Sequence, residues 1–331
     1  MDILTPLKSF IKLPECTIDN AVFKLHYRVS CLFLFMCSLL VTARQYFGDP
    51  IDCMSRDDVP PEVLDTFCWV HTTFSIVASW NKTVGYEVPY PGIDKSTPDE
   101  KRQYHAYYQW VCFVLFFQAM LFYVPHYLWK AVENGRIRAI RSNLCNPLMS
   151  KTERRENQQI VSSYLISSTD ELQNLHKTSF YCYCLCELLN LVNVVAQMFM
   201  MDHFLSGQFS TYGWKVLTMT ETDDNLRDDP MIRVFPRLTK CTFRRYGPSG
   251  DIAKYDALCI LPINIINEKI YIGLWFWFYF LAAITSVALV YRLATIFSPR
   301  LRLWLIQKRC VSLAKSEAIE DMVHHIDAGH W

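Results

Sequence analysis

The chain has 331 residues, 51% of them hydrophobic and 15% aromatic, with a net charge of +1. That balance leaves no electrostatic footprint for nucleic acid. The apolar residues are pooled in four blocks, each long enough to cross roughly 30 Å of hydrocarbon, which excludes an ordinary soluble core.

Residues 1–28 carry Asp2, Lys8, Lys12, Glu15, Asp19, Lys24 and Arg28 and lack the apolar centre of a cleavable signal peptide. The first span is therefore expected to act as the insertion signal. Ile3, Leu7, Phe10 and Ile11 recur at helical period, and Pro6 is tolerable near a helix start. A helix lying on the membrane surface and a helix entering a pore mouth both fit that pattern.

The first span is predicted over 29–47, with Arg44 near its outer end. An ionisable group at that depth either snorkels to the interface or faces water or a subunit interface. Asp49 and Asp52 follow, placed to pair with Arg44 or to line an outer vestibule. The loop 48–110 then carries Cys53, Cys68 and the sequon Asn81-Lys82-Thr83, a glycosylation candidate. The second span is predicted over 111–129, with Tyr104, Tyr107, Tyr108 and Trp110 before it as an interfacial belt and Pro125 as a kink within it.

The loop 130–178 includes a helical-looking stretch after residue 150. The third span, 179–201, is the most polar. Glu187, Asn190, Asn193 and Gln197 are spaced by three and four, so they share one stripe. Contact between helices is the favoured reading over a water-lined face. Glu187 needs a partner that the sequence does not name. Cys182, Cys184 and Cys186 alternate on the same helix, which splays them and makes them poor chelators.

The loop 202–269 holds Cys241 and Cys259. Alternation from Leu238 to Tyr246 predicts a strand, with a partner near Cys259. The fourth span is predicted over 270–291, followed by the tail 292–331. A short amphipathic helix is expected over 312–326. His324, His325 and His330 are too few and too irregular for a metal site. Neither a metal, a cofactor nor a catalytic cluster is expected, so the chain is read as a non-enzyme.

Orientation follows from basic residues near the span ends. Lys130, Arg136, Arg138 and Arg141 follow the second span, and Arg292, Arg300, Arg302, Lys308 and Arg309 follow the fourth. Both termini and the loop 130–178 are thus expected to be cytoplasmic. The loops 48–110 and 202–269 fall outside, where disulfides persist and sequons are used. Four outer cysteines allow three pairings.

Several segments, in order, resemble one family. Tyr107-Tyr108-Gln109-Trp110-Val111 resembles the YYQWV motif that opens the second span of innexins. Gly48 to Cys53, Phe235 to Phe243, Tyr246 to Gly250, Asn267-Glu268-Lys269, Leu274 to Phe278 and Tyr291 to Thr295 resemble further innexin segments. The likeness covers about residues 15–310 and is greatest to the arthropod innexin-two type, with a viral homologue of that type as a second reading.

The resemblance implies an all-α membrane protein. It has four transmembrane helices, cytoplasmic N- and C-termini, a small disulfide-linked α/β extracellular domain and a helical cytoplasmic domain. It implies disulfides Cys53–Cys259 and Cys68–Cys241. Residues 1–28 become a pore funnel, with Met1, Asp2 and Ile3 as pore-lining candidates beside Arg44, Asp49 and Asp52.

The implied function is a large-pore channel subunit of gap junctions or hemichannels, passing ions and small solutes at the plasma membrane or cell junction. Its implied partners are copies of itself in a ring of eight, a second ring docked head to head, other innexins, and membrane lipids. Members of this type continue into a longer tail; the 40 residues after the fourth span are read as a short one, so tail-based regulation is not carried over. A non-conducting four-span adhesion or scaffold protein is the competing reading.

Overall fold

The computed structural model describes residues 19–54, 59–95, 97, 100–135, 152–153, 155–157, 159–160, 163, 173–219 and 229–309. Met1, Asp2 and Ile3, the N-terminal helix, most of the helical stretch after residue 150 and the helix expected over 312–326 lie outside them.

The chain forms two compact units. One draws on the described parts of residues 1–29, 122–193 and 283–331, the other on those of 30–121 and 194–282. Among the described residues, four helices are long and apolar enough to cross a membrane: α1 (Ala21–Phe47), α3 (Val111–Glu133), the Lys177–Phe204 part of α4 (Gln173–Phe204) and α7 (Pro262–Phe297). Large apolar side chains stay exposed along them, among them Leu32, Met36, Leu39, Phe117, Met120, Phe199, Val287 and Val290. Surfaces of that kind suit lipid rather than water.

Three of these helices start earlier than the hydropathy suggests, and the reason is local. Asn20 accepts a hydrogen bond from the Phe23 backbone N–H at 2.6 Å and caps α1. A π-helical stretch, Leu25–Ser30, follows. Its polar residues are paired inside the fold: His26 Nε2 lies 2.7 Å from Thr285 Oγ1, and Ser30 Oγ accepts from Trp277 Nε1 at 2.9 Å. Pro262 opens α7 at a position where a missing N–H costs nothing. The charged Glu268 continues that helix because it is fully buried and paired.

The second unit contains the sheet. Five antiparallel strands run in the order β1 (Asp52–Met54), β5 (Ile252–Ile260), β4 (Leu238–Tyr246), β2 (Thr73–Ile76) and β3 (Arg102–His105). β4 and β5 pair along their whole length, from Leu238 opposite Ile260 to Tyr246 opposite Ile252. Their turn needs Gly250, whose φ of +84° is the left-handed region that glycine adopts most easily. A helix, α2 (Pro61–His71), joins β1 to β2, and a one-turn helix, α6 (Pro230–Val234), precedes β4.

His105 sits at the end of β3, buried, with Nε2 2.8 Å from Ser75 Oγ. Burial pushes its pKa down to about 4. The unfolded chain, with a histidine near 6.5, binds the extra proton first. Stability from the neutral ring is therefore complete above about pH 6.5 and is lost progressively as the pH falls toward 4. Thermal unfolding of the purified protein is expected to lose about 2 kcal/mol between pH 7 and pH 5 from this group alone. His105→Gln should flatten that slope.

Candidate functional site

Two disulfides hold the sheet to its neighbours. Cys53 bonds Cys259, and the two residues face each other across β1 and β5. Cys68, on α2, bonds Cys241 on β4. All four are buried. The sulfurs of Cys53, Cys68 and Cys259 lie within 4.8 Å of one another, so the two bonds are neighbours in one core. That cluster has the spacing of a metal site, but each sulfur is already bonded to another. The bonds join segments 206 and 173 residues apart in sequence. Restricting the unfolded chain that much stabilises by about 2–4 kcal/mol per bond.

Several segments of the sequence signature meet around this sheet. Arg237 donates to both oxygens of Glu268, at 2.8 and 3.1 Å, in a bidentate fork. Lys269 Nζ also reaches Glu268, at 3.2 Å. Asn264 Nδ2 donates to the Pro236 carbonyl at 2.7 Å, and the Leu261 N–H to the Arg237 carbonyl at 2.8 Å. The carboxylate of Glu268 raises the pKa of Arg237 against the burial that lowers it. The approach to β4 is thus locked to the start of α7.

Tyr107, Tyr108, Gln109 and Trp110 form the joint between β3 and α3. Tyr108 is fully buried, its ring 4.8 Å from Trp69. Tyr107 meets Phe235 edge to face at 5.7 Å. Gln109 donates to the Trp69 carbonyl at the end of α2. Trp110 stays exposed, as an interfacial aromatic does. The motif therefore fixes where α3 leaves the sheet.

Arg44 is half-buried and curls against Gly48; a Cβ there would meet its Nη1 at 2.8 Å. Asp49 and Asp52 are exposed, and neither pairs with Arg44 among the described residues. Asn81 is exposed at the end of a 3₁₀ turn, Val77–Asn81. The Thr83 hydroxyl donates to Glu87 at 2.8 Å. Lys82 pairs with Asp94, whose carbonyl accepts from the buried Lys240 at 2.9 Å. The sequon thus sits on a turn anchored to the sheet.

In the other unit, Glu187 finds the partner the sequence did not name. Arg292 Nε and Nη2 each donate to it at 2.8 Å. Asn20 Nδ2 donates to the same carboxylate at 2.6 Å. The Arg292 guanidinium lies 5.2 Å over the Tyr183 ring, which stacks on Phe23 at 5.7 Å. Cys186 packs with Phe23 and Trp129 beneath them. Three helices, α1, α4 and α7, are tied at one buried ion pair. Asn190 and Gln197 are buried on the same stripe of α4. Arg292 is missed by sequence reading because a basic residue closing a span is read as an orientation signal.

The innexin family model matches residues 19–331. Innexin inx2 of Schistocerca americana is 46% identical, over all of this chain and 90% of its own length. Innexin shaking-B of Drosophila melanogaster is 45% identical, over all of this chain and 88% of its own. Innexin inx3 of the same fly is 43% identical, over 99% of this chain and 83% of its own. With the four apolar helices and the two buried disulfides, these matches leave one assignment: the chain belongs to the innexin family.

Proposed function

We propose that the chain is a large-pore channel subunit of gap junctions and hemichannels, passing ions and small solutes. The carrying observation is the pair of disulfides, which turns two long loops into one rigid sheet. A rigid face loses little entropy when it meets another, so docking is cheap. Copies assemble in a ring, read as an octamer from the family resemblance, and two rings dock head to head across the gap between cells. Mixed rings with other innexins follow the same logic. Both termini face the cytoplasm at the plasma membrane and cell junction, in line with the basic residues after α3 and α7.

The domain plan in this reading is a pore funnel over 1–28, spans at 29–47, 111–129, 179–201 and 270–291, outer loops 48–110 and 202–269, a cytoplasmic loop 130–178 and a tail 292–331. Met1, Asp2 and Ile3 line the narrow cytoplasmic mouth, where a ring of Asp2 carboxylates favours cations. Arg44, Asp49 and Asp52 belong to the outer vestibule. Selectivity comes from pore width. Paired-cell voltage clamp tests the reading: junctional current is expected, and its absence in surface-expressed protein would leave the non-conducting adhesion role.

A glycan on Asn81 fits its exposed turn. The favoured reading is an unused sequon, because a glycan there would crowd docked rings; a glycosidase-sensitive gel shift of surface protein, lost in Asn81→Gln, would show it occupied instead. An unchanged band in the wild type would mean the sequon is unused.

A further inference from the structure

A short helix, α5 (Phe209–Met219), follows α4 after four residues. Its buried side is Phe209, Tyr212 and Gly213. Its other side exposes two large apolar groups one turn apart, Trp214 and Leu217. In a loop bathed by water that pair would be a needless apolar patch.

The contacts of α5 tie it to α4 and α7. The Ser210 backbone N–H donates to Asp202 in the last turn of α4 at 2.8 Å. The Ser210 carbonyl accepts from Trp275 Nε1 at 3.1 Å and from the Tyr279 hydroxyl at 3.4 Å. Gly213 lies so close to the Trp275 indole that a Cβ would meet it at 2.2 Å, so only glycine permits this approach. Tyr279 lies about 13 Å along α7 from Ile270, within the apolar stretch of that helix. Asp202 of α4 thus holds the first turn of α5 from one direction, and Trp275 and Tyr279 of α7 hold it from another. Phe276, Tyr279 and Phe280 of α7 are exposed as well.

We propose that α5 is an interfacial helix whose Trp214–Leu217 face sits in lipid at the boundary of headgroups and acyl chains. Tryptophan prefers that boundary, and the exposed Lys215 and Thr218 supply the polar groups that headgroups accept. The loop after α4 thus returns to the membrane before it builds the sheet. The proposal rests on the four-span reading and adds a fifth, non-spanning lipid contact.

The test uses the full chain reconstituted in phosphatidylcholine vesicles whose acyl chains carry bromine either near the carbonyl end or near the methyl terminus. Bromine quenches tryptophan on contact. The emission lost in Trp214→Phe isolates the Trp214 signal. Shallow bromine is expected to quench that signal at least about twofold, and deep bromine less. Quenching of the remaining tryptophans with none of the Trp214 signal would overturn the proposal, and would mean water or a neighbouring copy covers that face. Absence of quenching throughout would overturn the four-span reading itself.

Discussion

Cys241→Ser is expected to abolish junctional conductance in paired cells, and to do so more completely than removal of both Cys68 and Cys241. The single variant loses about 2–4 kcal/mol of constraint on the sheet. It also frees the Cys68 sulfur within 4.8 Å of the Cys53–Cys259 bond. A thiolate at Cys68 attacks that bond, forms a new disulfide with Cys53 or Cys259, and releases the other as a thiolate. The β1–β5 staple is then lost as well. Peptide mapping under non-reducing conditions should find Cys68 joined to Cys53 or Cys259. The double variant Cys68→Ala/Cys241→Ala offers no attacking thiol and should keep Cys53–Cys259. Normal coupling in Cys241→Ser would refute the rigid-platform argument.

Arg292→Ala is expected to have the largest effect in the other unit. It leaves the Glu187 carboxylate buried without its guanidinium, at a cost of about 3–5 kcal/mol. The variant should show several-fold less mature protein at the surface, measured by biotinylation. Arg292→Lys should rescue only part, because a point charge cannot make the bidentate fork or lie flat on Tyr183. Replacing both charges, as Glu187→Gln/Arg292→Met, removes the unpaired carboxylate and should recover more surface protein than Arg292→Ala. A double variant no better than the single one would mean that lost packing, not lost charge, is the damage.

Asn20 links this ion pair to the start of α1. It caps α1 with its oxygen and binds Glu187 with its nitrogen. The first described turn of α1 is therefore fastened to α4 and α7.

The sequence exposes some of this plainly. Alternation from Leu238 to Tyr246 marks a strand, and β4 spans those residues, though its burial runs from a buried Thr239–Cys241 end to an exposed Arg244–Tyr246 end rather than alternating. The four apolar blocks mark helices because lipid demands long uninterrupted runs. Pairing across the chain is less legible. The Glu187–Arg292 pair joins residues 105 apart, and no local pattern carries that distance. Glu268 interrupts the apolar run only on paper, since Arg237 and Lys269 neutralise it inside the fold. The same effect hides the true start of α1, where His26 and Ser30 look polar but are paired. The disulfide partners came from family likeness, because spacing alone allowed three pairings. The helix α5 was not apparent, since Gly213 lowers its helix propensity and only its contact with Trp275 explains the glycine.

Antibody access to epitope tags on intact cells reads the topology, with one tag at either terminus and one in the turn 247–250 between β4 and β5. With the sheet outside and both termini in the cytoplasm, the turn tag is stained on intact cells and the terminal tags only after permeabilisation. Terminal tags reachable on intact cells, with the turn tag hidden, would contradict that topology.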